Sequence, residues 1–327
     1  MNKSNNLSSL LDEAGQFHPL YGKGLATHLP MVLIALNRLN ASDAKLARTF
    51  SSSIHGLDRI GSLENITPVK DISNYLGSSK QFKSYLRYFK NELALKGMNA
   101  VLTQSLPVLI RGLSASAFHS LIRLAYAVEA SNESEAAIAL AYWCAEYQPF
   151  ALNESFTTET LEEILLRVAP IGVNHAFSPG IIVDRMNEIG ELLNQQNIVI
   201  QPERIDLATV RTFALNTFCA QDDFTLLHTV TGCHALSMLL PYLDNEELAI
   251  RELWKGILVA YLSTGLSYDL PEIKPMKEKV DFQPLINKAI LSDDSHVIKL
   301  TYTCFCEFKK HENPVYYKVA KRAVEGS

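Results

Sequence analysis

The chain has 327 residues, 47% of them apolar and 20% charged, enough to bury a substantial core in one large domain or two ordinary ones. A formal net charge of -5 and the lack of any Lys/Arg stripe argue against nucleic acid as a partner. The longest apolar run, Leu226 to Leu240, is broken by His228, Thr229, Thr231, His234 and Ser237, so no membrane span is expected.

The N-terminal MNKSNNLSSLLDEAG lacks the apolar centre of a secretory signal. From there on, apolar residues recur at helical spacing. Pro30 in THLPMVLIALNRLN falls in the first turn of a helix, with Thr27 or His28 at its cap, and Ser42 with Asp43 caps the next. A stripe of Phe82, Tyr85, Leu86, Phe89 and Leu93 predicts a helix over 78–97 ending at Gly97; a second one follows to Gly112, kinked at Pro107. SASAFHSLIRLAYAVEAS and ESEAAIALAYWCAEY form a pair joined at Asn132. TTETLEEILLRVA opens on a capping signal, and IIVDRMNEIGELLNQQ follows the loop of Ser178, Pro179 and Gly180. QDDFTLLHTVTGCHALSMLLPYL is the most apolar segment and is expected to be central. NEELAIRELWKGILVAYLSTG reads as amphipathic, and SDDSHVIKLTYTCFCEFKKH and PVYYKVAKRAV close the chain, with Ser292 the expected cap of the former.

The only strand-like stretch, NIVIQ at 197–201, is too short and isolated to build a sheet. The expectation is therefore an all-α fold of roughly a dozen helices in a single domain spanning 1–327. Stretches 55–77 and 268–282 are the least regular. The five cysteines are odd in number and show no CxxC spacing, which reads as reduced thiols in a cytoplasmic protein.

Four histidines lie in separate apolar helical segments: His28, His119, His228 and His296. An imidazole on a buried face costs free energy unless it finds a partner, and one metal ion would satisfy all four. The competing reading is that each ring is satisfied locally, as core histidines commonly are. His119, Ile122, Arg123 and Tyr126 share a helix face, which predicts either a polar pocket or a solvated surface. His228 and His234 are six apart and point about a third of a turn away from each other, so at most one of them is a ligand; Gly232 between them permits a bend or close packing. His296, Lys299 and Thr303 share a face, and Lys299 either pairs with an acid, activates oxygen or substrate electrostatically, is carbamylated by CO2 into a metal ligand, or snorkels to solvent. Phe118, Tyr142 and Trp143 are candidates for an aromatic pocket wall or for plain core. His18, His55, His175 and His311 lie in turns, loops or charged helix ends and are set aside. No GxSxG, P-loop, dinucleotide fingerprint or HExxH occurs.

In these segments the chain resembles the questin oxidase-like family. The shared signals are YGKGLATHLPMVLIAL, AFHSLIRLAYAVE, the HxVTGxHAL pattern and DDSHVIKLTYTC, in that order from residue 17 to about 320. The resemblance implies an oxidoreductase that uses O2 to oxygenate or open a polycyclic aromatic ring, with a non-heme iron(II) held by histidines and a carbamylated lysine. Matched by motif, the ligands are His28, His119, His228 and His296, with Lys299 as the modified lysine and His228 preferred to His234. Fungal members often carry further histidines after the first, where this chain has Met31 and Val32, so an anthraquinone substrate does not carry over. Arg123 or Tyr126 is expected to position an anionic oxygen of a small aromatic substrate. A metal-dependent hydrolase and a helical binding module without metal are the rival readings. A nicotinamide requirement and the oligomeric state are not legible.

Overall fold

The computed structural model describes residues 3–269 and 280–326, with the side chains of 3–5 excepted. The described chain is predominantly α-helical. The first helices are α1 (Lys3–Ala14), α2 (Leu29–Arg38), α3 (Asp43–Ser53), α4 (Phe82–Leu109), α5 (His119–Glu129) and α6 (Glu133–Ala145). They are followed by α7 (Leu161–Val173), α8 (Ile182–Gln195), α9 (Leu207–Gln221), α10 (Phe224–Leu239) and α11 (Glu246–Ser263). The last three are α12 (Gln283–Leu291), α13 (Ser295–His311) and α14 (Val315–Glu325). Most of the irregular 268–282 stretch lies outside the described residues.

Capping chemistry sets the boundaries where the sequence places it. Ser42 accepts from the Lys45 amide, Thr160 and Glu163 form a reciprocal capping box, and Pro30 lies in the first turn of α2 behind His28. Gly97, with φ 75° and ψ 167°, a conformation closed to most L-residues, divides α4 into two helices at the stop that the sequence predicts. By length and composition the helical stretch Ser79–Gly112 passes as a candidate membrane span, contrary to the reading above. That break divides it, and its first half carries Lys83, Arg87, Lys90, Glu92 and Lys96.

Three helices escaped the sequence reading: α1, α9 and α12. The joint between α9 and α10 is only two residues long. Asp222 closes α9 in the left-handed conformation and Asp223 caps α10, so the whole segment reads as one helix start. The isolated NIVIQ is also corrected, since β4 (Val199–Pro202) pairs in parallel with β3 (Asn153–Thr157). The partner NESFT is polar and mostly exposed, with none of the alternation that marks a strand. A second small pair, β1 (Leu20–Tyr21) with β2 (Leu25–Ala26), is antiparallel and turns through Gly22 and Gly24, both at positive φ.

The chain divides into two compact units, each discontinuous in sequence. The first comprises Met1–Leu102, Ile122–Ala145 and Met276–Ser327; the second comprises Thr103–Leu121 and Glu146–Pro275. In the first, α13 packs on α2, α12 and α14, and α1 packs on α2, α3 and α6. The second is built around α11, which meets α7, α8, α9 and α10. Contrary to its amphipathic reading, α11 is buried continuously from Glu252 to Ser263. Its polar stripe faces inward as a Glu252–Lys255 pair at 2.9 Å, and Lys255 also donates to the Phe150 carbonyl. The helix α10 is buried from Thr225 to Leu236 on every face, as its apolar sequence predicts.

Gly172 of α7 lies so close to α11 that a Cβ there would come within 2.2 Å of the Leu262 carbonyl oxygen. That obstacle is backbone and cannot rotate away. Gly172→Ala is therefore expected to destabilise the second unit by about 1–3 kcal/mol, read as a lower urea midpoint at unchanged slope. An unchanged midpoint would contradict this close approach.

Candidate metal-binding histidines

Each unit brings together one pair of the four histidines. In the first, His28 stands at the N-cap of α2, where its side chain is not used to cap the helix. Its ring lies 4.5 Å from that of His296, the two planes perpendicular. His28 Nδ1 is 2.9 Å from Ser295 Oγ, the residue that opens α13. The cap of α13 is Asp294 rather than Ser292: its carboxylate accepts from the His296 amide at 2.7 Å, and the same oxygen lies 3.4 Å from His296 Nδ1. One residue thus starts the helix and lies against the ring beside it. Burial and the nearby Lys299 ammonium push the His296 pKa down to about 4 against the pull of Asp294, so the imidazole is neutral at pH 7.

Lys299 lies one turn further along α13 and is 2% exposed. Burial pushes its pKa down to about 7, only partly offset by Asp294. The snorkelling alternative is thereby overturned, because the amine stays inside the protein. Thr303, on the same face, is also buried.

In the second unit, the rings of His119 and His228 lie 4.6 Å apart. His119 does not sit within a helix running on from Ser114, as the sequence suggests; it is the first residue of α5. Ser116, Ala117 and Phe118 before it all have positive φ, at 50°, 53° and 68°. Three successive non-glycine residues there cost on the order of 1–2 kcal/mol each. The turn brings the Ser116 carbonyl to 2.6 Å from His119 Nδ1 and 3.2 Å from the His119 amide. His228, 1% exposed on α10, has Nδ1 3.0 Å from the Phe224 carbonyl one turn back. His234 is buried too, but six residues place it about 120° round the helix from His228.

A common feature joins the four rings. Carbonyl or carboxylate partners can only accept, so His119, His228 and His296 carry their proton on Nδ1 and the lone pair on Nε2. The hydroxyl beside His28 Nδ1 is compatible with the same tautomer.

Arg123 and Tyr126 occupy the first unit. Arg123 is 1% exposed and grips Glu135 of α6 through two hydrogen bonds of 2.5 and 3.1 Å. A guanidinium neutralised in this way does not present its charge to a substrate oxygen, so the pocket reading is corrected to a buried ion pair. Glu135 is one of two acids in the first turn of α6, and no sequence signal marks it as the partner. Tyr126 is buried and faces Thr303; burial and Glu129 hold its phenol protonated far above its usual range. Tyr142 and Trp143 are fully buried on α6, as plain core. Among the histidines set aside, His18 packs on Phe82, His175 meets Glu188 at 2.6 Å, and His311 lies 3.6 Å from Glu307.

Comparison with known protein families gives one finding that bears on these residues. The model of a family described as Questin oxidase-like matches residues 25–304, a span that contains all four histidines and Lys299. No curated protein matches the chain.

Proposed function

The chain belongs to the questin oxidase-like family, and from that premise we propose an O2-dependent oxidoreductase of an aromatic small molecule, using a non-heme iron(II). Membership by itself points to an oxidase or oxygenase; the metal and its ligands are our reading. The residues that would hold the ion are His28, His119, His228 and His296, together with Lys299.

The observation that carries this reading is the tautomer imposed on the imidazoles by acceptors at Nδ1. A metal-binding histidine characteristically engages one ring nitrogen with a carbonyl or carboxylate, which fixes the tautomer and aims the other nitrogen's lone pair. His119, His228 and His296 each have such a partner, and His28 has a hydroxyl in the same place. With the proton on Nδ1, Nε2 is the nitrogen through which each ring would coordinate. Imidazole suits iron, zinc and copper alike, so iron is taken from the family rather than from the donors.

Lys299 fits as a fifth group. An amine with a pKa of about 7 is substantially unprotonated at neutral pH. That form can add to CO2 through nitrogen, giving a carbamate and releasing one proton. The product is an anionic oxygen donor, better suited than an ammonium to a cationic centre. Bound iron(II) would supply the electrons and the coordination position that O2 chemistry requires. Tyr126 keeps its proton and can donate a hydrogen bond to an oxygen that gains charge. Arg123 acts at a distance from the chemistry, bracing α5 against α6 through Glu135. The cytoplasm is our assignment for the protein, on five cysteines that form no disulfide.

The test is oxygen uptake with hydroxylated quinones as substrates. Consumption of O2 in step with substrate loss, abolished in His228→Ala, is the expected result. Substrate loss without O2 consumption would favour a metal-dependent hydrolase and sink the oxygenase.

A further inference from the structure

Phe118 ends the left-handed turn and is completely buried. Two glycines, one from each of two neighbouring helices, face it. A Cβ built on Gly232 of α10 would lie 3.2 Å from Phe118 Cδ1. One built on Gly256 of α11 would lie 3.1 and 3.2 Å from Phe118 Cε1 and Cζ, and 2.9 Å from Ser114 Cβ. The ring therefore occupies space that a methyl group on either helix would take. The turn it terminates is strained, and strain of this kind persists only where the surroundings over-determine it.

We propose that Phe118, clamped between Gly232 and Gly256, is a positioning residue that holds the strained 116–118 turn and through it the tautomer and aim of His119. The turn is what delivers the Ser116 carbonyl to His119 Nδ1, at 2.6 Å, while the same carbonyl accepts the His119 amide. If the aromatic ring moves, the turn can relax toward ordinary φ, and that carbonyl leaves the imidazole. His228 serves as an internal control, because its own acceptor is the Phe224 carbonyl within α10 and does not depend on the turn. The relevance of this clamp to metal binding rests on the function proposed above; the clamp itself does not.

The experiment is ring-nitrogen NMR on histidine-labelled protein without metal, for wild type, Gly256→Ala, Gly232→Ala and the double variant Phe118→Leu/Gly256→Ala. In wild type both His119 and His228 should show the single tautomer protonated at Nδ1. Gly256→Ala should lose that signature at His119 and keep it at His228. Gly232→Ala, whose methyl intrudes less, should show the same change to a smaller degree and guards against a Gly256→Ala protein that does not fold. The double variant, with room for the methyl restored, should recover the His119 signal at least in part. Folded variants with an unaltered His119 spectrum would overturn the clamp, as would equal changes at His119 and His228. Iron affinity, measured in parallel, should fall about tenfold in Gly256→Ala, as expected for loss of an outer partner of a ligand. Wild type that binds no iron while the NMR pattern holds would remove the metal reading and leave the clamp standing.

Discussion

Replacing Glu135 by alanine is expected to destabilise the protein by about 3–5 kcal/mol, because it strands the buried Arg123 guanidinium without its counter-charge. Both side chains are 1% exposed, and their two hydrogen bonds are 2.5 and 3.1 Å long. The pair is not thereby a large net source of stability. Burial raises the Glu135 pKa above its usual range even though Arg123 pulls it down, so desolvation outweighs the attraction. The double variant Arg123→Met/Glu135→Leu should therefore recover most of the loss. Urea unfolding of the three proteins checks this. A loss below about 1 kcal/mol for Glu135→Ala would show that the arginine finds water or another acceptor.

The second large effect is expected at Lys299, and its sign is opposite. The amine titrates near 10.5 in the unfolded chain and near 7 in the fold. Between those values the unfolded state binds more protons, so stability rises with pH; at pH 7 and below the penalty is present in full. In buffer free of CO2, Lys299→Met should then raise stability at pH 6–7, with a ceiling of about 5 kcal/mol set by the full shift. The advantage over wild type should shrink as pH climbs toward 10. Bicarbonate should stabilise wild type and leave Lys299→Met unchanged, since only the lysine can form a carbamate. A destabilised Lys299→Met at pH 6–7 would mean that the side chain serves packing rather than chemistry.

Much of the fold could be read from the sequence because helix termini carry local chemistry. Pro30, Ser42, Thr160 and Gly97 each mark a boundary through their own backbone preferences or side-chain oxygen, with no knowledge of the tertiary structure. The two small sheets and the α9–α10 joint were not legible for the converse reason. NESFT is a strand because Val199–Pro202 lies beside it, and two adjacent aspartates can cap one helix or separate two.

The histidines were legible as apolar-context rings, but not the groups that orient them. From the sequence Ser292 is the expected cap of α13, whereas Asp294 is the cap and also meets the His296 ring. The Ser116 carbonyl belongs to the backbone and leaves no trace in residue type. Three left-handed residues spelled Ser-Ala-Phe are the opposite of what local propensity would suggest. Where sequence-level rules fail in this way, strain stored at a functional site is a recurrent cause.

That His28, His119, His228, His296 and Lys299 hold one metal ion is our proposal. Elemental analysis of protein purified without added metal tests it most directly, with His119→Ala and Lys299→Ala beside wild type. Roughly one iron per wild-type chain is expected, lost in both variants while their circular dichroism remains helical. Wild-type protein that holds no iron even after anaerobic loading would contradict it.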